Sequence, residues 1–292
     1  ATQQIVQDAW LDDPKLSYTF FGEELQTRVG PQEQAFGVSQ KVPLPTKLYY
    51  RGKAASQEAK AKREIYRATE SEIVTQAKQA YYELFWIRKG IEITEQDKVL
   101  LEHLEQVARS HFAAHAGRQQ DVSKAQVEIS RAIDRLLVLR RRAATVEARL
   151  SALLDRPKSA AIGTLEEFEL PVLTRSKEEL QELAADNRQE LHAAQHRMKR
   201  DKAKVTLAKW DFLPDVTTGF NYIDIGDGQT TQPNDGDNAW NVMFTVDLPI
   251  WEHGLWSNLK QAKATSNSSQ ATYEETQNQT EFEVADAYFA WE

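Results

Sequence analysis

Cysteine is absent from the chain. Disulfides, thiol catalysis and cysteine-ligated zinc are thereby excluded. Glycine is scarce, at 12 of 292 residues, and mean hydropathy is low, at −0.61. Both values are low for a compact α/β enzyme and suit long solvated helices. No Gly-rich phosphate loop, no GxSxG elbow and no convincing acid pair is present, so neither an enzyme nor a cofactor is read. Basic excess is also missing. The net charge is −8 and the pI about 5.4, which argues against nucleic acid as a partner. No apolar run approaches the ~18 residues of a membrane-spanning helix. That leaves a transmembrane β-barrel open, because its strands need only about ten alternating residues each. No signal peptide is visible, and Ala1 is compatible with a preceding cleavage.

What is present divides into alternating and helical segments. Residues 1–11 read as the end of a helix, stopped at Asp12-Asp13-Pro14. Leu16, Tyr18 and Phe20 alternate with polar residues, as do Phe36, Val38 and Val42. Two strands follow, with a turn expected at Gly30-Pro31. The hairpin segment is 12–45. No proline occurs between Pro45 and Pro157, and strong helix formers dominate that interval. The expectation is a helical hairpin over 46–156. Its first helix runs to about residue 116, with Gly117 as a left-handed cap.

The returning helix carries the cleanest signal in the chain. Val122, Ala125, Ile129, Ala132, Leu136, Leu139, Ala143, Val146, Leu150 and Leu153 follow a strict 3,4 spacing, the coiled-coil period. The descending helix answers with Ile73, Ala77, Ala80, Leu84, Ile87 and Ile91. Its stripe is then read as shifting to Leu100, Leu104 and Val107. Residues 157–187 read as a mixed insertion, extended over Leu165–Leu173 and then helical with Ser176 as cap. A further helix covers 188–212. Val216, Phe220 and Tyr222 begin a second strand pair over 213–250, separated by the polar loop Gly226–Asn238 from an apolar face of Trp240, Val242, Phe244, Val246 and Leu248. Residues 251–292 turn helical again.

An internal repeat organises these elements. Aligning Pro43 with Pro249 superposes Val38 on Phe244 and Val42 on Leu248. Ala80-Tyr81-Tyr82 then corresponds to Ala287-Tyr288-Phe289, with one extra residue. The second copy stops within four residues of Tyr288, so it is expected to be truncated. The expected class is mainly α with a small β part.

The chain resembles the TolC-like outer-membrane efflux proteins. Asp13-Pro14-Lys15-Leu16 looks like that family's Asn-Pro-x-Leu. Gln40-x-Val42-Pro43 looks like its Gln-x-(Leu/Ile)-Pro. Gly117, then Asp121-Val122 and Ala125, resemble its hairpin tip, although Ala114 stands where the family has tyrosine. The resemblance implies a homotrimer in which each protomer gives four strands to one twelve-stranded barrel in the outer membrane of a Gram-negative bacterium. The helices would continue it through the periplasm, with 157–187 in an equatorial belt. The family is a passive exit duct coupled to an inner-membrane pump through a periplasmic adaptor. On this reading Trp240, Val242, Phe244, Val246 and Leu248 face lipid. Tyr49, Tyr50, Trp251 and Trp256 form an interfacial belt. The tip residues Gly117, Arg118, Gln119, Gln120, Asp121 and Val122 meet the adaptor. The cargo class stays open between drug, metal ion and protein.

Blander readings stand beside these. The helical stripe alone fits a soluble coiled-coil scaffold that binds partners, but leaves the duplicated strand pair unexplained. His111 and His115, and His192 and His196, are one helical turn apart, a zinc-compatible spacing. With no third ligand they read as surface histidines, and no metal is assigned. Asp224, Asp227, Asp235 and Asp237 flank a loop whose spacing does not match an EF-hand.

Overall fold

The computed structural model describes residues 9–157, 160, 162–168, 172–227 and 236–291. Most of the expected helix at 1–11, part of the 157–187 insertion and most of the loop after Asp227, Asp235 included, lie outside the described residues. The chain forms two units, residues 1–68 with 175–292, and residues 69–174.

The first unit holds the sheet. Strands β1 (Lys15–Thr27), β2 (Gly30–Val42), β3 (Asp215–Ile225) and β4 (Ala239–Asp247) pair antiparallel in the order β1-β2-β3-β4. The first turn is Arg28-Val29, two residues before the expected Gly30-Pro31, since Gly30 already pairs with Thr27. Gly30 has φ 130°, a conformation that a side chain disfavours, so glycine fits there as the strand's first residue. Leu248 falls just past β4 rather than inside it.

Helix α1 (Pro45–Ala113) follows β2 directly. Pro45 occupies its first turn, where a missing N–H costs nothing, and Leu44 O accepts from Lys47 N at 2.9 Å. Lys47 is only 3% exposed. Its Nζ donates to Leu213 O at 2.8 Å and Asp215 Oδ1 at 2.7 Å, so the start of α1 is tied to the start of β3.

The helices of this unit pack through small residues. Ala54, Ala55 and Ala61 of α1 are buried, as are Ala193, Ala194, Ala203 and Ala208 of the helix Gln189–Trp210. A shorter helix, Lys177–Asn187, precedes it. Its Ser176 cap accepts from Glu179 N while the Glu179 side chain accepts from Ser176 N, a reciprocal capping box. The last helix spans Glu252–Trp291. In chain order these three are α3 (177–187), α4 (189–210) and α5 (252–291). Arg188 separates α3 from α4 and pairs with Glu283 of α5.

The second unit is the helical hairpin of α1 and α2 (Gln119–Leu153). All ten residues of the 3,4 stripe on α2 are buried or half-buried. Ala143, Val146 and Leu150 close on Ala80, Leu84 and Ile87, flanked by Ala77, Ile91, Leu139 and Leu153. Two expectations on α1 are overturned. Ile73 is exposed, and the stripe does not shift: Leu100, Leu104 and Val107 are exposed, while Thr94, Lys98, Leu101, Glu105 and Ala108 continue the covered face. The 3.5 period is a mechanical property of the paired helices, and it overrides the local choice of apolar residues.

The 157–187 stretch divides between the two units at residues 174 and 175. Ile162 and Leu165 cover the hairpin core, and Phe168 lies against Tyr82 and Phe85 at 4.6 and 4.9 Å. Arg88 donates to Gly163 O at 2.6 Å. Residues from Arg175 on belong to the first unit. Leu84 is fully buried, so Leu84→Ala should cost about 2–5 kcal/mol, while Leu100→Ala should stay within about 0.5 kcal/mol. Denaturant unfolding of the unassembled chain checks this; equal losses would contradict the unshifted stripe.

Candidate functional site

The sheet's two faces differ in kind. Strand residues alternate between faces, and the pairing fixes which side chains share one. On one face the row Tyr18–Phe36–Tyr222–Trp240 lies beside the row Leu16–Val38–Phe220–Val242. Val42, Val216 and Val246 form a row nearer the helices, and Phe244 sits opposite Thr218. This face is open: Trp240 is 67% and Phe244 70% exposed. Phe220 stacks on Trp240 at 6.1 Å and Tyr18 lies 5.2 Å from Phe36. The apolar band ends at one side in a polar row. There Tyr18 Oη donates to Gln34, and Gln34 Nε2 donates to Asp224 Oδ2 at 2.9 Å. Val42 to Phe36 is six residues, so the band is about 20 Å along the strand before the Gln34 row.

The opposite face carries Ser17, Asn221, Asn241, Thr217 and Thr245. Asn221 Nδ2 donates to Asn241 Oδ1 at 3.1 Å. Charges collect at its helix-proximal end. Lys41 Nζ is 3.3 Å from Asp215 and 3.4 Å from Asp247, and Asp215 also accepts a hydrogen bond from Lys47 Nζ.

Of the residues expected to face lipid, Trp240, Val242, Phe244 and Val246 share the open apolar face. Leu248 is exposed beyond the strand. The matching residues of β1, β2 and β3 were not singled out from the sequence as site residues, although their alternation carried the signal. Among the expected interfacial aromatics, Tyr49 and Tyr50 meet edge-on at 5.2 Å with Lys53 Nζ 5.7 Å from both rings. Trp256 packs on Phe212 at 5.2 Å, and Trp251 stands exposed.

The hairpin tip is built differently from the expectation. The left-handed residue is His115, at φ 58°, not Gly117. Ala116 N donates to His111 O at 2.9 Å and His115 N to Phe112 O at 3.0 Å, the paired bonds of a Schellman cap. Gly117 serves close approach instead: a Cβ there would lie 3.1 Å from Phe112 N and 3.2 Å from His111 C. His115 has therefore left the helix, which removes the one-turn spacing with His111. His192 contacts Asp186 O and His196 contacts Gln57. Among the described residues no group of three metal-ligating side chains is found.

Arg118, Gln119, Gln120 and Asp121 are exposed at the tip, whereas Gly117 and Val122 are half-buried and Val122 belongs to the hairpin stripe. Behind the tip, Glu105 sits in the covered stripe. It accepts from Arg109 and from Gln126 of α2. The bond from Arg109, and then that from Gln126, hold its carboxyl below the usual carboxylate range.

No helix among the described residues is long and apolar enough to cross a membrane, which leaves a barrel unaddressed. Residues 180–292 match the family model described as outer membrane efflux protein. No curated protein matches the chain in sequence. Among solved structures, the outer-membrane channel OprN superposes with TM-score 0.79 at 17% identity, over 99% of this chain and 67% of that one. The outer membrane protein VceC of Vibrio cholerae gives TM-score 0.77 at 20% identity, over 99% and 71%. The open state of the Neisseria gonorrhoeae MtrE outer membrane channel gives 0.70 at 18%, over 95% and 64%. The fold is that of these channels, and the TolC-like resemblance read from the sequence holds. No description among these is that of an enzyme.

Two outcomes follow for the tip. His115→Gly should stabilise the hairpin by up to about 1 kcal/mol, because left-handed conformation strains a residue with a Cβ and the greater unfolded-state freedom of glycine offsets only part of the relief, while Gly117→Val should destabilise it; thermal unfolding reads both. A carboxyl with a depressed folded pKa stabilises above its unfolded pKa and loses that contribution as pH falls through the folded value. Glu105→Gln should therefore weaken the acid-induced loss of hairpin stability below about pH 4.3; an unchanged slope would remove Glu105 from the account.

Proposed function

We propose that the chain forms part of an outer-membrane exit duct of the efflux type. The observation that carries this is the open apolar face running across all four strands, backed by a polar face. Soluble monomers rarely expose an apolar patch of more than a few hundred Å². In lipid that face is the stable one. A sheet of four strands leaves β1 and β4 as open edges, which hydrocarbon does not tolerate. Copies of the chain close it: three give a twelve-stranded barrel with the Asn221–Asn241 face toward a wet lumen.

The hairpin tip extends this reading to partners. Arg118, Gln119, Gln120 and Asp121 offer polar groups to a periplasmic adaptor, which links the duct to an inner-membrane pump. Tyr49, Tyr50, Trp251 and Trp256 lie four to nine residues past the ends of β2 and β4, a place suited to an aromatic belt. Outer-membrane lipid contacts the strands, and selection of cargo falls to the pump. A soluble coiled-coil scaffold remains the competing outcome of the test.

The protein should partition to the outer membrane, need detergent for extraction, and run as a heat-modifiable trimer on SDS gels. Val242→Arg on the apolar face should cost about 2–4 kcal/mol of barrel stability and reduce the trimer. Asn241→Arg on the polar face should leave it intact. A freely soluble protein insensitive to Val242→Arg would favour the scaffold.

A further inference from the structure

The internal repeat and the strand register together specify how one copy joins the next; this step rests on the trimeric-barrel reading above. Lys41 near the end of β2 and Asp247 at the end of β4 are equivalent positions, 206 residues apart. Aligning Pro14 with Pro214 likewise makes Lys15 of β1 equivalent to Asp215 of β3. Inside the chain, β2 lies against β3, Lys41 faces Thr217, and its Nζ reaches Asp215 on the diagonal at 3.3 Å. The open edges are β4 and β1. When β4 of one copy meets β1 of the next, the same joint recurs with its charges exchanged, acid on β4 and base on β1.

We infer that Asp247 of one copy pairs with Lys15 of the next and sets the register of the seam between copies. The internal pairing of Val42 with Val216 becomes Leu248 against Leu16. Val246 then faces Tyr18 and Phe244 faces Phe20, apolar on apolar, while Thr245 faces Thr19. Asp247 faces Ser17, one diagonal from Lys15. Anchoring instead on the two hairpin registers, Leu16 with Val38 and Thr218 with Phe244, moves β1 by two residues. Asp247 then lies directly opposite Lys15. Opposite positions are about 5 Å apart at Cβ and diagonal ones about 7–8 Å, so a lysine spans both. A one-residue slip would turn every side chain to the wrong face. The two groups are available for this. Asp247 is 56% exposed and shares Lys41 with the better covered Asp215, and Lys15 is exposed.

The protein contains no cysteine, so introduced thiols are unambiguous. Lys15→Cys with Asp247→Cys, treated in membranes with a short bifunctional thiol reagent, should give covalently linked dimers and trimers. Lys15→Cys with Asn241→Cys places the thiols about 20–27 Å out of register and should stay unlinked. Asp247→Lys should lower the temperature at which the SDS-resistant trimer dissociates, and adding Lys15→Asp should restore at least half of that loss. A trimer that persists while the first pair fails to link, or links no better than the second, or is not rescued by the exchange, overturns the seam but leaves the duct standing. An unmodified protein that forms no trimer overturns both.

Discussion

Every backbone N–H and C=O placed in hydrocarbon must find a partner within the protein, because no water is there to supply one. The four-stranded sheet meets that requirement internally between β1 and β2, β2 and β3, and β3 and β4, and leaves it unmet at the outer sides of β1 and β4. The rest of the first unit follows from it. An open apolar face and a polar reverse face suit a sheet that curves around a lumen, as in the proposed duct. The strands then largely alternate, and the polar row of Gln34 and Asp224 marks where the apolar band stops.

In the proposed duct, the sheet in lipid must also hand its chain to helices in water. Here the transition is made with a proline and a buried cation. Pro45 starts α1 without an unpaired donor, and Lys47 bonds Leu213 O and Asp215 across the neighbouring strand start. A buried charge is costly unless fully partnered, and breaking one such pair costs about 3–5 kcal/mol. The joint is therefore rigid at a place where a loop would let the sheet and the first turn of α1 move apart. The helices of this unit meet through alanine at Ala54, Ala61, Ala194 and Ala203, which permits close backbone approach without large interlocking side chains.

Much of this was legible in the sequence, and the failures have physical causes. The alternation of Trp240, Val242, Phe244 and Val246 gave a strand with two unlike faces. The 3,4 spacing from Val122 to Leu153 gave the covered stripe of α2. Past Ile91 the spacing of Leu100, Leu104 and Val107 points to the wrong face of α1, because all three are apolar yet exposed. The covered positions there include Thr94, Lys98 and Glu105, whose polar groups are met locally: Thr94 Oγ1 donates to Gly90 O, Lys98 pairs with Glu102, and Glu105 takes Arg109 and Gln126. Composition does not reveal such local satisfaction. Gly117 was misread because a glycine can mark either a positive φ or a close approach, and only coordinates distinguish them.

The central claim is that the apolar face of the sheet is solvated by lipid and its reverse face by water. Single cysteines at each position from Trp240 to Val246, labelled with an environment-sensitive fluorophore in membranes, test it directly. Quenchers confined to the bilayer should act on 240, 242, 244 and 246, and aqueous quenchers on 241, 243 and 245. Uniform aqueous quenching along β4 would contradict it.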